Sequence, residues 1–305
     1  MIYNVALLIY LNMSIYDEIA KESGVNYIRQ SAKALTTIKC GGVLEHVFVP
    51  ANVLEFSKLV EAFESVGEKT FLLGGGSNVI AADGEVKTPV LLTKKLDKIR
   101  IENGCVFCEC GVRISEISRR AREHNLGGLE FLAGVPLTVG GAVNMNASAF
   151  SRQIFDFAES VFVFSSRACD KRICEISRED VDYGYRKGVQ GIVVGAKLRL
   201  ERIDKQKSIL LANEFLAKRR AKQPRELSLG SVFKNGEIPS GKLIEDCGLK
   251  GTAIGGAKIS EKHANFIVNK GGATASDFLA LADLAEYEVK NKFGIQLERE
   301  FKLLQ

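Results

Sequence analysis

Glycine is distributed in this chain as local clusters, and those clusters limit its fold more than any other feature. Three glycines occupy positions 74–76, five lie between 127 and 141 and seven between 230 and 256, just over half of the 29 present. Glycine has no Cβ, so it permits positive φ and lets backbone or ligand come close. The first cluster, Leu72-Leu73-Gly74-Gly75-Gly76-Ser77-Asn78, runs directly out of an apolar stretch that reads as a buried strand. Its N–H groups can converge on an anion. It is neither the G-x-G-x-x-G dinucleotide fingerprint nor a P-loop, because no Gly-Lys-Ser/Thr follows. Read alone, it is either a tight turn or a pyrophosphate loop. The second cluster, Gly127 to Ala147, has one charged residue, Glu130. Loops at the surface are as a rule polar, so this stretch is expected to be buried. Its partner is either a flat apolar cofactor, served by free N–H groups of Gly140, Gly141 and Ala142, or simply the core. The third cluster opens with Gly230-Ser231-Val232-Phe233-Lys234-Asn235, where the serine can donate a proton or touch an anion. Only His46, His124 and His263 are present, with no pattern for a hydrolase triad, so a structural role for Ser231 stays open at this point.

At 305 residues the chain suggests about two domains of roughly 150 residues each. Its 46% hydrophobic content excludes intrinsic disorder as the main state, and its aperiodic glycines exclude a collagen-like chain. The net charge of +5 is spread along the chain, which argues against a nucleic-acid partner. One dense basic run, Lys218-Arg219-Arg220-Ala221-Lys222, is either the solvated end of a helix or a phosphate contact. The seven cysteines are Cys40, Cys105, Cys108, Cys110, Cys169, Cys174 and Cys247. An odd count without a secretory signal points to reduced thiols in a cytoplasm. Cys105, Cys108 and Cys110 follow the hairpin signal Asn103-Gly104 and read as strand residues, with Cys108 and Cys110 on one face and Cys105 on the other. No second Cys/His pair has zinc spacing, so no metal is expected.

Met1 to Leu11 is apolar, but too short to span a bilayer and without a basic leader. An extended start is the preferred reading over an anchor, and no other stretch is a membrane candidate. A helix is expected over Ser14–Ser23. The first unit then reads as strand Val47–Pro50, a helix Leu54–Val66 burying Phe56, Leu59, Val60, Phe63 and Val66, and strands Thr70–Leu73 and Val90–Thr93. The second has the Asn103-Gly104 hairpin, helix Ile114–His124 stopped by Gly127 or Gly128, and strands Ser160–Ser165 and Gly191–Leu200. The third has helices Ser208–Lys222 and Ser240–Cys247, strand Ala264–Val268, and helix Asp277–Phe293 with a capping-box-like Thr274/Asp277 start and a Gly294 stop. The class is α+β with mixed sheets.

Read together and in order, these stretches resemble the UDP-N-acetylenolpyruvoylglucosamine reductase family. The resemblance runs from about Leu35 to the C-terminus. It rests on Thr36-Thr37-x-x-x-Gly41-Gly42, Leu73–Asn78, Gly127–Ala147, Tyr185-Arg186, Gly230–Asn235, Gly241–Glu245 through Gly248–Gly251, Ser260–Asn269 and Leu297–Glu300. Each motif is weak alone, and eight in order are specific. The resemblance implies a two-lobed FAD-binding domain of the vanillyl-alcohol-oxidase (PCMH) type over residues 31–205, with lobes of about 31–95 and 96–205. An N-terminal extension and helix (1–30) precede it, and an α+β UDP-sugar-binding domain (206–305) follows. FAD lies between the lobes, its pyrophosphate on Gly74, Gly75, Gly76, Ser77 and Asn78 and on the stretch with Gly134, Thr138, Val139, Gly140, Gly141 and Ala142. Non-covalent FAD is expected, because related flavoproteins tether it through a histidine near this loop and none lies between His46 and His124. NADPH is the implied hydride donor and UDP-N-acetylglucosamine enolpyruvate the substrate. Hydride reaches C3 of the enol ether and a proton reaches C2, giving UDP-N-acetylmuramate for peptidoglycan synthesis. By the same resemblance Ser231 is the proton donor, Arg186 and Glu300 stabilise the enol intermediate, and Tyr185, Lys234 and Asn235 bind substrate. The basic run is a further diphosphate candidate on charge alone. A cytoplasmic monomer is expected.

The chain departs from the family pattern in several places. Leu137 stands where glycine is usual, Ser148 replaces another glycine, and Gly188 takes the place of a serine three residues after Tyr185. Gly236 follows Asn235 where proline is common, and Phe301 follows Glu300 in place of valine. These changes bear on loop conformation and FAD affinity more than on chemistry. The length fits the short form, without an added tyrosine-bearing loop. Two other readings compete. A flavin oxidase on the same fold would consume O₂ and ignore NADPH. A nucleotide-sugar binder without catalysis is opposed by the presence of Ser231, Arg186 and Glu300.

Overall fold

The computed structural model describes residues 14–165 and 173–305; the expectations for Met1–Leu11 and for Cys169 lie outside them. Ser14 and Asp17 form a capping box on helix Ile15–Ser23, which Gly24 ends in the left-handed conformation. A strand not anticipated from the sequence, Tyr27–Ser31, pairs antiparallel with Val43–Phe48. Val90–Leu92 runs parallel to Val43–Phe48, and Phe71–Leu73 parallel to Val90–Leu92. Helix Val53–Val66 buries Phe56, Leu59, Val60 and Phe63 as expected, but Val66 is 42% exposed. It lies in the last turn, at the edge of the apolar stripe, where Gly67 ends the helix.

The second unit is an antiparallel sheet in the order Ile173–Ser177, Ala158–Phe164, Ile192–Arg199, Cys105–Glu109, Ile99–Glu102. Asn103 and Gly104 both take positive φ, 50° and 78°, which matches the twist of the strands they join. Cys108 and Cys110 join Val106 in the core, whereas the Cys105 thiol donates to the Glu159 carboxylate at 3.3 Å. Burial pushes the Cys108 and Cys110 thiols up to about 12. Among the described residues no group of three His, Cys, Asp or Glu side chains is arranged to hold a metal ion. Helix Ile114–Glu123 ends at His124, and Asn125, with φ 53°, makes the left-handed turn expected of Gly127 or Gly128. Asparagine tolerates that conformation, and Gly127 is needed in a short strand, Leu126–Gly127, paired with Glu201–Arg202.

Helix Lys205–Lys222 starts three residues earlier than expected because Asp204 caps it, and it packs on the turn Glu130–Leu132 and on helix Ile114–Glu123. Beyond it a four-stranded sheet runs Leu227–Ser228, Ile267–Asn269, Ala257–Ile259, Ala253–Ile254. The expected strand Ala264–Val268 narrows to Ile267–Asn269, since Phe266 N–H closes a turn on the His263 carbonyl. The Thr274/Asp277 capping box forms, and helix Ala275–Phe293 starts two residues before Asp277 and stops at Gly294. Strand Lys302–Leu304 returns to pair in parallel with Val79–Ala81. The third core thereby includes Ile38, Cys40 and Ile80 from the first unit. Among the described residues no helix is long and apolar enough to cross a membrane.

Candidate active site

The first two glycine clusters meet. A Cβ on Gly74 would lie 2.4 Å from Thr138 Oγ1, one on Gly75 2.8 Å from the Pro136 carbonyl, and one on Gly76 2.0 Å from the Leu35 carbonyl. The two loops therefore press together with no space for side chains between them. The N–H groups of Gly75, Gly76, Ser77 and Asn78 donate to no described residue. The other loop differs from expectation. The Gly140 N–H goes to the Cys110 carbonyl and the Ala142 N–H to the Thr138 carbonyl, each at 2.8 Å. The Ala142 bond closes the first turn of a short helix, Val139–Asn144, so of the three only the Gly141 N–H has no partner among the described residues. Val139 and Ala142 are core residues. What the loop leaves at the surface is an uncharged edge of Gly134, Pro136 and Gly141, with Gly75 alongside.

The basic run divides. Lys218 lies over Phe215, and Arg220 and Lys222 are exposed. Arg219 turns inward: Nη2 donates to the Phe131 carbonyl at 2.8 Å, the guanidinium lies 5.1 Å over the Phe150 ring, and Cδ approaches Gly134. Its Nε is buried without a partner, and burial pushes the guanidinium down with no carboxylate to restore it. A buried cation without a counter-ion is costly. Together with the open N–H groups of the Gly74 loop, it suits a pyrophosphate. In the sequence only its charge marked it.

Arg186 sits in the left-handed region, with φ 54°, in a loop closed by pairing between Gly184 and Lys187. Its Nη1 donates to Ser148 Oγ at 2.7 Å, so the unusual serine supplies an acceptor for this arginine. Its Nε lies 2.8 Å from Glu300 Oε1, with side chains 16% and 9% exposed. The contact is an ion pair whose N–H points off the line. Arg186 Nε and Glu300 Oε2 both lack an aligned hydrogen-bond partner. Burial pushes the Glu300 carboxyl up, while Arg186 and Lys234 pull it down less strongly. The Tyr185 ring covers the Arg186 guanidinium at 4.9 Å, and its hydroxyl accepts the Asn235 N–H at 3.1 Å. Gly188 is explained by the same loop, since a Cβ there would lie 1.9 Å from the Val143 carbonyl.

Ser231 reaches this pair through the backbone. Gly230, with φ 82°, turns the chain into it. The Glu300 N–H donates to the Val232 carbonyl and the Lys234 N–H to the Glu298 carbonyl, each at 2.8 Å. Asn78 of the glycine loop donates its side-chain amide to the Glu300 carbonyl at 3.0 Å. The half-buried Ser231 hydroxyl has no partner among the described residues. Lys234 pairs with Glu298, and Asn235 Oδ1 accepts the Ser240 N–H at 3.1 Å, so both expected substrate contacts already have internal partners. These two line a cavity of about 360 Å³ with Ile238, Leu243 and Leu297. The structure thus brings Tyr185, Arg186, Ser231, Lys234, Asn235 and Glu300 into one neighbourhood, joined to Asn78.

Residues 44–166 match the family described as FAD binding domain, and residues 223–304 match UDP-N-acetylenolpyruvoylglucosamine reductase, C-terminal domain. The UDP-N-acetylenolpyruvoylglucosamine reductase of Chloroherpeton thalassium is 39% identical over 283 residues, covering 88% of this chain and 90% of the relative. That of Shouchella clausii is 40% identical over 271 residues, covering 87% and 86%. The crystal structure of the Thermus caldophilus enzyme of the same name superimposes with a TM-score of 0.78 at 30% identity, covering 92% of this chain and 100% of that one. The α+β fold is therefore a two-lobed FAD-binding domain followed by the reductase's C-terminal domain, and the chain belongs to the UDP-N-acetylenolpyruvoylglucosamine reductase family.

Proposed function

We propose that this chain reduces UDP-N-acetylglucosamine enolpyruvate to UDP-N-acetylmuramate, with NADPH as reductant and non-covalent FAD, in peptidoglycan precursor synthesis. The observation that carries the reading is the meeting of the buried Arg186–Glu300 pair with the Ser231 segment, tied through Asn78 to the open N–H groups of the glycine loop. Bound FAD supplies the relay of hydride from NADPH to C3 of the enol ether. Gly75 to Asn78 and Arg219 would hold its pyrophosphate, with the Gly134–Gly141 edge beside them. Arg186 holds the pyruvyl carboxylate, into which charge moves as C3 is reduced. A permanently charged, planar guanidinium suits that task. Burial raises the Glu300 carboxyl, and in its protonated form the group would donate a hydrogen bond to the same developing charge. Ser231 donates its proton to C2. A serine hydroxyl is a weak acid, and it serves here because the carbanionic carbon is strongly basic and the geometry is fixed. Tyr185, Lys234 and Asn235 bind the UDP-sugar. The cofactor domain spans about 31–205 and the substrate domain 206–305, with the first helix of the latter lying on the cofactor side. A cytoplasmic monomer without nucleic-acid or membrane partners completes the reading.

The test is an anaerobic two-step experiment. NADPH should bleach the flavin of both wild type and S231A at similar rates. Enolpyruvyl-UDP-N-acetylglucosamine should then restore the colour of wild type, and of S231A at least about 100-fold more slowly. Wild-type reoxidation by S231A would remove Ser231 as the acid. An enzyme that consumed O₂ with substrate and ignored NADPH would be an oxidase instead.

A further inference from the structure

We propose that Asn265 is the positioning residue for the proton donor, acting as a two-sided amide clamp that sets where the Ser231 hydroxyl stands. The proposal rests on Ser231 being the acid. Asn265 is 1% exposed and lies in the turn between Ser260 and the strand Ile267–Asn269. Its Oδ1 accepts the Phe233 N–H at 2.9 Å and its Nδ2 donates to the Phe233 carbonyl at 2.8 Å. Its own carbonyl accepts the Val232 N–H at 2.9 Å. One residue therefore makes three hydrogen bonds to the two residues that follow Ser231. The opposite edge of the same segment is held by the Glu300 N–H on the Val232 carbonyl and the Lys234 N–H on the Glu298 carbonyl.

On its other side Ser231 has little support. Gly230 is left-handed, no described residue lies within 4 Å of where its Cβ would be, and the Ser231 hydroxyl bonds to no described residue. The serine is thus a short overhang whose position is inherited from Val232 and Phe233. A weak acid that works only through fixed geometry is sensitive to such an anchor. A displacement of about 1 Å costs on the order of 100-fold in rate. A side-chain amide matches a peptide unit, donor to carbonyl and acceptor to N–H, and only glutamine carries the same group. The clamp is itself fixed, since the Asn265 N–H donates to His263 Nδ1 at 3.3 Å.

The test uses N265A and N265D in the flavin-loaded protein, beside S231A and the double variant S231A/N265A. Bleaching by NADPH should stay within about threefold of wild type, and reoxidation by enolpyruvyl-UDP-N-acetylglucosamine should slow by about 10- to 100-fold with little change in substrate KM. The double variant should be no slower than S231A, because Asn265 acts only through the serine. A purely structural role would make the two losses multiply. N265D adds a pH readout: as a neutral acid its carboxyl can still donate to the Phe233 carbonyl, and as a carboxylate it cannot. Its reoxidation should recover as pH falls, by more than wild type changes. Multiplying losses, wild-type reoxidation by N265A, or loss of flavin binding in both variants would overturn the proposal. If S231A itself reoxidised at the wild-type rate, the underlying acid assignment would fail instead, a distinct outcome.

Discussion

Arg186 and Glu300 lie side by side, largely buried, and with fewer hydrogen bonds than either can make. A ligand carboxylate could complete the arginine, and a proton could complete the acid. Burial raises the Glu300 carboxyl, so between pH 4.5 and the raised folded value the folded protein holds a proton that the unfolded chain has released. Stability then falls as pH rises from the unfolded pKa through the raised folded one. E300Q removes that slope. The difference in Tm, E300Q minus wild type, should become steadily more positive from pH 4.5 upward until the carboxyl of the folded wild type is ionised. Thermal melts across that range would check it, and a flat difference would show that burial does not protect the proton. Both residue types stood in motifs that the sequence displayed. Their pairing did not, nor did the role of Ser148, since a serine in place of glycine does not announce which guanidinium it accepts from.

At the scale of elements, the helix Ala275–Phe293 shows how local signals and distant ones divide. Its capping box, Thr274 with Asp277, lies within four residues and was readable, as was the Gly294 stop. A second cap comes from Asp83 in the first unit. Its carboxylate accepts the Ala275 N–H and the Ser276 N–H at 2.9 Å and the Ser276 hydroxyl at 2.7 Å. No periodicity links these positions, and the same is true of the three-residue strand Lys302–Leu304, too short to carry a pattern. Desolvation pushes the Asp83 carboxyl up, but the bonds from Ala275 and Ser276 outweigh it and hold the pKa low. This contribution is present above the ordinary aspartate range and is lost as pH falls through the lowered folded value. D83N replaces one acceptor oxygen by a donor that faces donors. At pH 7 it should cost about 1 kcal/mol in urea unfolding, within the usual range for a helix cap, and the cost should shrink on acidification. The loss also loosens the joint between the first and third units, because Asp83 follows Ala81 and Ala82 of one core while Ala275 and Phe278 of the helix belong to another.

At the scale of the whole molecule, the site has no single owner. The glycine loop of the first unit presses on Thr138 and Pro136 of the second, and Asn78 holds the Glu300 carbonyl of the third. On the proposed reading a cofactor seated there would touch every unit, and its binding energy would be shared by the fold. Arg219 makes this measurable. Without an anion its charge is partly buried with no carboxylate partner among the described residues, a cost to folding; with one, it would become a charge-assisted contact. R219A should therefore change sign with the cofactor. Stripped of flavin, the variant should melt no lower than stripped wild type, because the lost packing on Phe150 is offset by relief of the buried charge. With FAD added at a concentration that saturates wild type, the variant should melt lower. A tenfold weaker Kd removes about 1.4 kcal/mol of linked stabilisation, and about 10- to 100-fold is the weakening expected for one charged hydrogen-bonding partner. R220A, one residue along on the exposed side, should leave both melts unchanged. Paired melts with and without FAD would decide it. Equal losses in both states would make Arg219 a packing residue and leave the pyrophosphate to the loop N–H groups alone.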